Sequence, residues 1–115
     1  MTITCNLTCD KNTSFSKDVI WTDDTGVPVD LTGFHAFMQV REYPSRTLVL
    51  DLSDTTTGIT VDVGHSKIVI GLAPADTAAA KVGIHRYDLI AVSPSGEKKK
   101  LIEGQFVIND TITEV

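Results

Sequence analysis

The chain has 115 residues and a mass of 12.4 kDa, which is enough for one domain and too little for two. Apolar residues make up 42% of it and charged residues 22%, a composition that excludes a wholly disordered chain. The formal net charge of −5 argues against a nucleic-acid backbone as the main partner. We therefore expect a single folded domain over residues 1–115.

β-branched residues are unusually frequent, since threonine, valine and isoleucine together supply 37 of the 115 residues. Such side chains favour strands over helices. No stretch approaches the roughly 18 consecutive apolar residues of a membrane helix. The first residues also lack the basic and apolar regions of a secretory signal. The sequence thus predicts an all-β protein without a membrane partner.

Apolar and polar residues alternate along most of the first half of the chain, the pattern of half-buried strands. We predict strands here at residues 2–8, 15–22, 34–41 and 48–52. The first of them is a candidate edge strand. Turns are expected at Gly26 and Gly33, because glycine supplies a positive φ. Between these turns, Pro28 confines an extended segment to an edge or a crossover.

The second half continues the same pattern, with one interruption. We predict strands at residues 59–63, 68–72, 86–91 and 102–108. Residues 73–80 are the only helix candidate, about two turns long, because Pro74 suits a first helical turn and alanines follow it. One face of each strand is polar, so two sheets can bury their other faces together. The sequence predicts an immunoglobulin-like antiparallel β-sandwich of about eight short strands with one short helical connection.

The histidines and cysteines do not suggest a metal site. His35, His65 and His85 are expected at solvent-facing positions, and no spacing brings them together with a carboxylate. Cys5 and Cys9 are too far apart along an extended strand to bridge without a bend. We expect two reduced thiols, with a disulfide across a bend or to a neighbouring subunit as the alternative.

No catalytic arrangement is visible either. The serines lie in turn-like or polar segments, and none is part of a nucleophile elbow. Asp23 and Asp24 are expected on a solvated turn, and the basic run at residues 97–100 on a solvated hairpin tip. The alternative for that run is a contact with an acidic partner. We predict no enzyme activity, no catalytic residues, no cofactor and no metal.

Trp21 and Tyr87 are predicted to be structural core residues. In immunoglobulin-like domains, a tyrosine near the start of a late strand often hydrogen-bonds back to the preceding corner. The position of Tyr87 in residues 83–89 fits that role.

Several segments resemble one known family in their order and spacing: residues 14–21, 26–34, 36–41, 48–52, 68–74, 83–89 and 101–108. The most specific pieces are the Pro-x-Asp-Leu-Thr-Gly segment ending at Gly33, the Met-x-x-Arg strand end at Arg41 and the Tyr-Asp-Leu strand at Tyr87. Together they resemble the immunoglobulin-like domain at the N-terminus of phage baseplate upper proteins, and small standalone proteins of tailed phages. The resemblance spans about residues 13–109.

The resemblance implies a non-enzymatic structural protein of a tailed-phage virion, made in the host cytoplasm and attached to the tail or baseplate. Its expected partners are phage tail, baseplate or capsid proteins and further copies of itself in a symmetric assembly, without nucleic acid. Because the chain ends soon after the last predicted strand, we expect a standalone component without a receptor-binding fibre. The alternatives are a capsid or neck decoration protein and a carbohydrate- or receptor-binding module.

Overall fold

The computed structural model describes residues 3–112, which form two β-sheets, one short α-helix and one 3-10 turn. The larger sheet contains β1 (Ile3–Thr4), β2 (Leu7–Asp10), β4 (His35–Arg41), β5 (Leu48–Ser53), β8 (Gly83–Val92) and β9 (Lys98–Asn109). The smaller sheet contains β3 (Phe15–Ile20), β6 (Ile59–Asp62) and β7 (Lys67–Leu72). The sheets pack face to face, which confirms the predicted all-β sandwich.

The strand order is that of an immunoglobulin-like sandwich. The smaller sheet runs β3-β7-β6, and the larger runs β9-β8-β4-β5. Immunoglobulin domains place strands B, E and D in one sheet and G, F and C in the other, and variable-type domains add C′ beside C. Here β3, β7 and β6 correspond to B, E and D, and the larger sheet matches G, F, C and C′.

The first strand departs from the prediction in two ways. It is divided at Cys5–Asn6 into β1 and β2, and both pairings with β9 are parallel, with Ile3 opposite Ile102 and Leu7 opposite Phe106. The predicted antiparallel sandwich therefore includes parallel pairing at this edge. The first and last described strands thus lie side by side, and a parallel pairing is possible because the strands are not joined by a tight hairpin. Thr2, where the predicted strand begins, lies outside the described residues.

The core follows the predicted alternation of side chains. In β4 the even-numbered Ala36, Met38 and Val40 are buried, as expected. Phe106 joins the two layers, because its ring lies 5.5 Å from the ring of Phe15 across the sandwich. The remaining buried apolar residues include Leu7, Cys9, Leu31, Leu52, Ile59, Ile68, Ile70, Leu72, Tyr87, Leu89, Ala91, Leu101, Ile102 and Ile108.

The connections agree with the predictions only in part. Gly26 and Gly33 occupy turns with φ of 85° and 77°, as expected. The helix α1 (Pro74–Ala78) is shorter than the predicted residues 73–80. The helix ends early because the Ala80 amide donates to the carbonyl of Thr77, three residues before it, in a tighter 3-10-type turn. Val63 belongs to the 3-10 turn Val63–His65 and not to a strand, so that part of the prediction is wrong.

Candidate assembly surfaces

The N-terminal edge of the larger sheet is formed by β1 and β2, so the first strand is an edge strand as predicted. The amides of Cys5 and Lys11 donate to the carbonyls of Glu103 and Asn109, each over 2.8 Å. Amides alternate in direction along a strand, so those of Thr8 and Asp10 point away from β9 toward the outside. An extended segment of another molecule could pair with this edge.

The same strand is also fastened to the core. Leu7 and Cys9 are buried, and the Asn6 side-chain oxygen accepts a hydrogen bond from the Gln105 amide over 3.0 Å. The Tyr87 hydroxyl donates to the Cys5 carbonyl. Tyr87 is thus a core residue, as predicted, but its hydroxyl does not bond to the preceding corner. Its hydrogen bond instead fixes the backbone at Cys5, where the first strand is interrupted between β1 and β2.

The environment of Tyr87 makes the free energy of unfolding fall at alkaline pH. Burial raises the pKa of its phenol, and the neighbouring Cys5, which also accepts its hydrogen bond, raises it further. The folded pKa lies above the unfolded one, so this contribution to stability is complete below about pH 10. It is lost as the pH rises above that value, because the unfolded state then releases a proton that the folded state keeps.

We expect Tyr87→Phe to lower the free energy of unfolding by about 0.5–1.5 kcal/mol near neutral pH, through loss of the hydrogen bond. Above about pH 10, the variant should lack a decline of up to about 1.4 kcal/mol per pH unit that the natural protein shows. Urea unfolding at several pH values measures both effects. Tyr43→Phe is the control, since Tyr43 is exposed. Equal slopes in the natural protein and Tyr87→Phe would contradict this assignment.

An apolar cleft opens on the flank between β1 and β3. It encloses about 320 Å³ and includes Trp21, Ile3 and Ile20 in its lining. Both isoleucines are mostly exposed, at 62% and 68%. Trp21 is half-buried against the core, edge-on to Phe34, and the ammonium of Lys99 lies 5.7 Å from its ring centre. Trp21 therefore packs against the core on one side, as predicted, and lines the cleft on the other.

The outer face of the larger sheet carries a second and larger concavity, of about 700 Å³. We call it the arginine groove, because its lining includes Arg41, Arg46 and Arg86, together with Tyr43 and Gln39. The sequence contains no other arginine. Sequence reasoning did not identify this groove. Its only available signal was the Met-x-x-Arg strand end, which carried no functional interpretation.

The three histidines are separated in the fold. His35 and His65 are exposed, as predicted, and each forms a 2.9 Å contact through Nδ1, to Asp54 and Asp62 respectively. The prediction for His85 is wrong, because its side chain is buried and its Nε2 lies 2.7 Å from the Lys81 carbonyl. Within residues 3–112, no group of three or more His, Cys, Asp or Glu side chains is arranged to hold a metal ion.

The other polar candidates have structural roles. The Asp23 carboxylate accepts hydrogen bonds from the Thr25 amide and hydroxyl and from the Val27 amide. Chiefly because of the Thr25 hydroxyl, the pKa of Asp23 lies below its usual value. This pattern closes a turn, and Asp23 and Asp24 lie side by side on that turn in the lining of the apolar cleft. The basic run is exposed beside the hairpin tip, with Lys98–Lys100 already in β9.

Both cysteines are free thiols. Cys9 is buried in the core, and Cys5 is half-buried at the break in the first strand. Burial raises the pKa of the Cys9 thiol, and the adjacent Asp10 raises it further. A thiol held protonated in an apolar site is a poor nucleophile, so Cys9 acts as a small core residue.

The comparisons with known proteins find no matching family model and no similar curated protein. Among residues 3–112, no helix has the length and apolar character needed to cross a membrane.

Proposed function

We propose that this protein is a non-enzymatic assembly module of a tailed-phage virion, attached to the tail or baseplate. The observation that carries the proposal is the ordered set of segments over about residues 13–109 that resemble the immunoglobulin-like domain of baseplate upper proteins. The strand order of the sandwich is compatible with that family, which supports the proposal without identifying the virion.

The edges of the sandwich offer a physical route to attachment. Directly after β3, the Trp21 amide donates to the Ser66 carbonyl over 3.0 Å, so the odd-numbered residues of β3 bond to β7. The amides of Asp18 and Ile20 then point away from β7. Together with Thr8 and Asp10 of β2, they give each of the two edge strands outward amides. A partner strand added at either edge would gain main-chain hydrogen bonds and apolar contact.

The direct test is to look for the protein in particles. We expect mass spectrometry to detect it in phage particles purified from a lysate of the strain that encodes it, and immunogold labelling to place it on the tail or baseplate. Label on the head or neck would favour the decoration alternative and contradict the proposed location. Presence in the lysate together with absence from purified particles would overturn the proposal.

Attachment through the β2 edge is better tested by a point substitution than by truncation. Removing residues 1–10 would also remove the buried Leu7 and Cys9, so a lost particle signal would not distinguish attachment from folding. Thr8→Pro is better, because it eliminates one outward amide and retains the bonds to β9. Loss of one hydrogen bond should weaken attachment by about twofold to tenfold.

Thr8→Val is the matched control, since it keeps the amide and changes only the exposed side chain. Thermal melting should be similar for both variants, and the amount of each in purified particles is the measurement. If Thr8→Pro enters particles as well as Thr8→Val does, this edge is not the attachment site.

A further inference from the structure

The arginine groove contains a charge arrangement that the fold itself does not explain. Arg41 in β4 and Arg86 in β8 lie directly opposite each other on the outer face of the larger sheet. Like charges in such cross-strand positions are destabilising. In a protein with only three arginines and a net charge of −5, both residues of this pair and Arg46 line one concavity.

The contacts of the two opposed arginines are with neutral groups. Arg41 donates from Nε and Nη2 to the Gln39 side-chain oxygen over 3.1 and 2.8 Å, and from Nη1 to the Arg46 carbonyl over 2.9 Å. The Arg86 guanidinium lies 5.1 Å from the centre of the Tyr43 ring. Within residues 3–112, no arginine forms an ion pair with a carboxylate.

A second pair of like charges on the same sheet face, unlike the arginine pair, has a counterion. Asp88 lies directly opposite Glu103, and the ammonium of Lys100 lies 2.9 Å from Glu103 and 3.8 Å from Asp88. Glu42, at the rim of the groove, is 2.6 Å from the Lys81 ammonium. The three carboxylates that line the groove thus already have cations of their own, whereas the arginine pair has no counterion among residues 3–112.

We propose that the arginine groove binds a carboxylate-bearing segment of another protein, with Arg86 as the main anchor. A guanidinium presents its donors in a fork that matches a carboxylate, and the Tyr43 ring supports that of Arg86 from one side through a cation–π contact. Arg41, held by three hydrogen bonds, supplies a second positive charge beside it. The inference does not depend on the assignment to a virion.

The surroundings of the groove favour an acidic peptide over a nucleic acid. Asp88, Glu103 and Glu42 flank the arginines and would repel a continuous row of phosphates, as would the net charge of −5. Isolated carboxylates on a peptide can meet the arginines while other side chains contact Tyr43, which is 64% exposed. The mixed charge pattern is complementary to a protein surface.

The test uses a fluorescein-labelled glycine hexapeptide with two glutamates separated by neutral residues as the probe, and measures its anisotropy with the natural protein at low salt. We expect binding that the same peptide with glutamine in place of both glutamates does not show. Arg86→Gln should weaken it by at least about fivefold, and Arg86→Lys should weaken it less because it keeps the charge but loses the fork. Lys17→Gln is the matched control, since it removes one positive charge from an exposed position in the other sheet.

Equal weakening by Arg86→Gln and Lys17→Gln would overturn the proposal, as would equal binding of the two peptides. Tighter binding of an oligothymidylate of the same charge would also overturn it, in favour of a polyanion site. Melting provides a second measurement. Arg86→Gln should melt at the same temperature as the natural protein or higher, because it relieves the repulsion with Arg41. A lower melting temperature would indicate that Arg86 serves the fold.

Discussion

Replacing Phe106 by alanine is expected to lower the free energy of unfolding by about 3–5 kcal/mol. The side chain is fully buried, and its ring packs on Phe15 of the smaller sheet and on Tyr87 of the larger, with ring centres 5.5 and 6.0 Å away. Alanine would leave a cavity between the two layers that neither ring can fill without moving its strand.

This loss is large compared with the total stability of about 5–15 kcal/mol expected for a domain of this size. Urea unfolding is the measurement, and the midpoint should fall while the slope of the transition is unchanged. Ile84→Ala, on an adjacent strand of the same sheet, is the control. Ile84 is 67% exposed, and its truncation should change stability by no more than about 0.5 kcal/mol. If the two variants were equally stable, Phe106 would not join the layers as described.

The sequence predicts correctly which side chains are buried wherever the alternation within a single strand is enough to assign them. In β4 and β7 the alternation of apolar residues is local and uninterrupted, so parity alone assigns Met38 and Ile70 to the core. The glycine turns at Gly26 and Gly33 are local as well, because a positive φ is a property of one residue.

His85 shows where local reasoning was applied wrongly. It shares the parity of Tyr87 and Leu89, so the alternation that places those residues inside also places His85 inside. We predicted exposure because we assigned His85 to the face opposite the main apolar residues, and that assignment was wrong. Nε2 meets the Lys81 carbonyl, a contact that reduces the penalty of burying the ring and that no strand pattern reveals.

The surfaces that we propose as binding sites depend on register between distant strands, which the sequence does not show. Arg41 and Arg86 are 45 positions apart and become neighbours only when β4 pairs with β8. The parallel pairing of the first strand with β9 joins residues almost a hundred positions apart. Period-two patterns state which face a residue occupies but not which residue lies opposite, so neither candidate contact could be predicted.

Replacing Gly104 by alanine is expected to release the first strand from the larger sheet. A Cβ at this position would lie 2.5 Å from the carbonyl oxygen of Cys5 and 2.8 Å from the side-chain oxygen of Asn6. Both distances are shorter than van der Waals contact allows, and the nearest obstacle is backbone. The break between β1 and β2 can approach β9 only because Gly104 has no side chain.

The expected cost is about 1–3 kcal/mol from overpacking, and about 1 kcal/mol more for each hydrogen bond that breaks as the segment moves. The bonds at risk are those from the Cys5 amide to Glu103, from the Gln105 amide to Asn6, and from the Tyr87 hydroxyl to Cys5. Hydrogen exchange followed by mass spectrometry should show lost protection at residues 5–11 and little change in β3 and β7.

Gly71→Ala is the matched control, because Gly71 also lies in a strand but has open space where a Cβ would be placed. It should leave exchange at residues 5–11 unchanged. If Gly104→Ala produced the same pattern as Gly71→Ala, the close approach at Cys5 would not hold the first strand. If protection were instead lost evenly across both sheets, the strand would be inseparable from the core. Loss confined to residues 5–11 would mean that one glycine determines whether the edge at β9 is closed by its own chain or open to a partner.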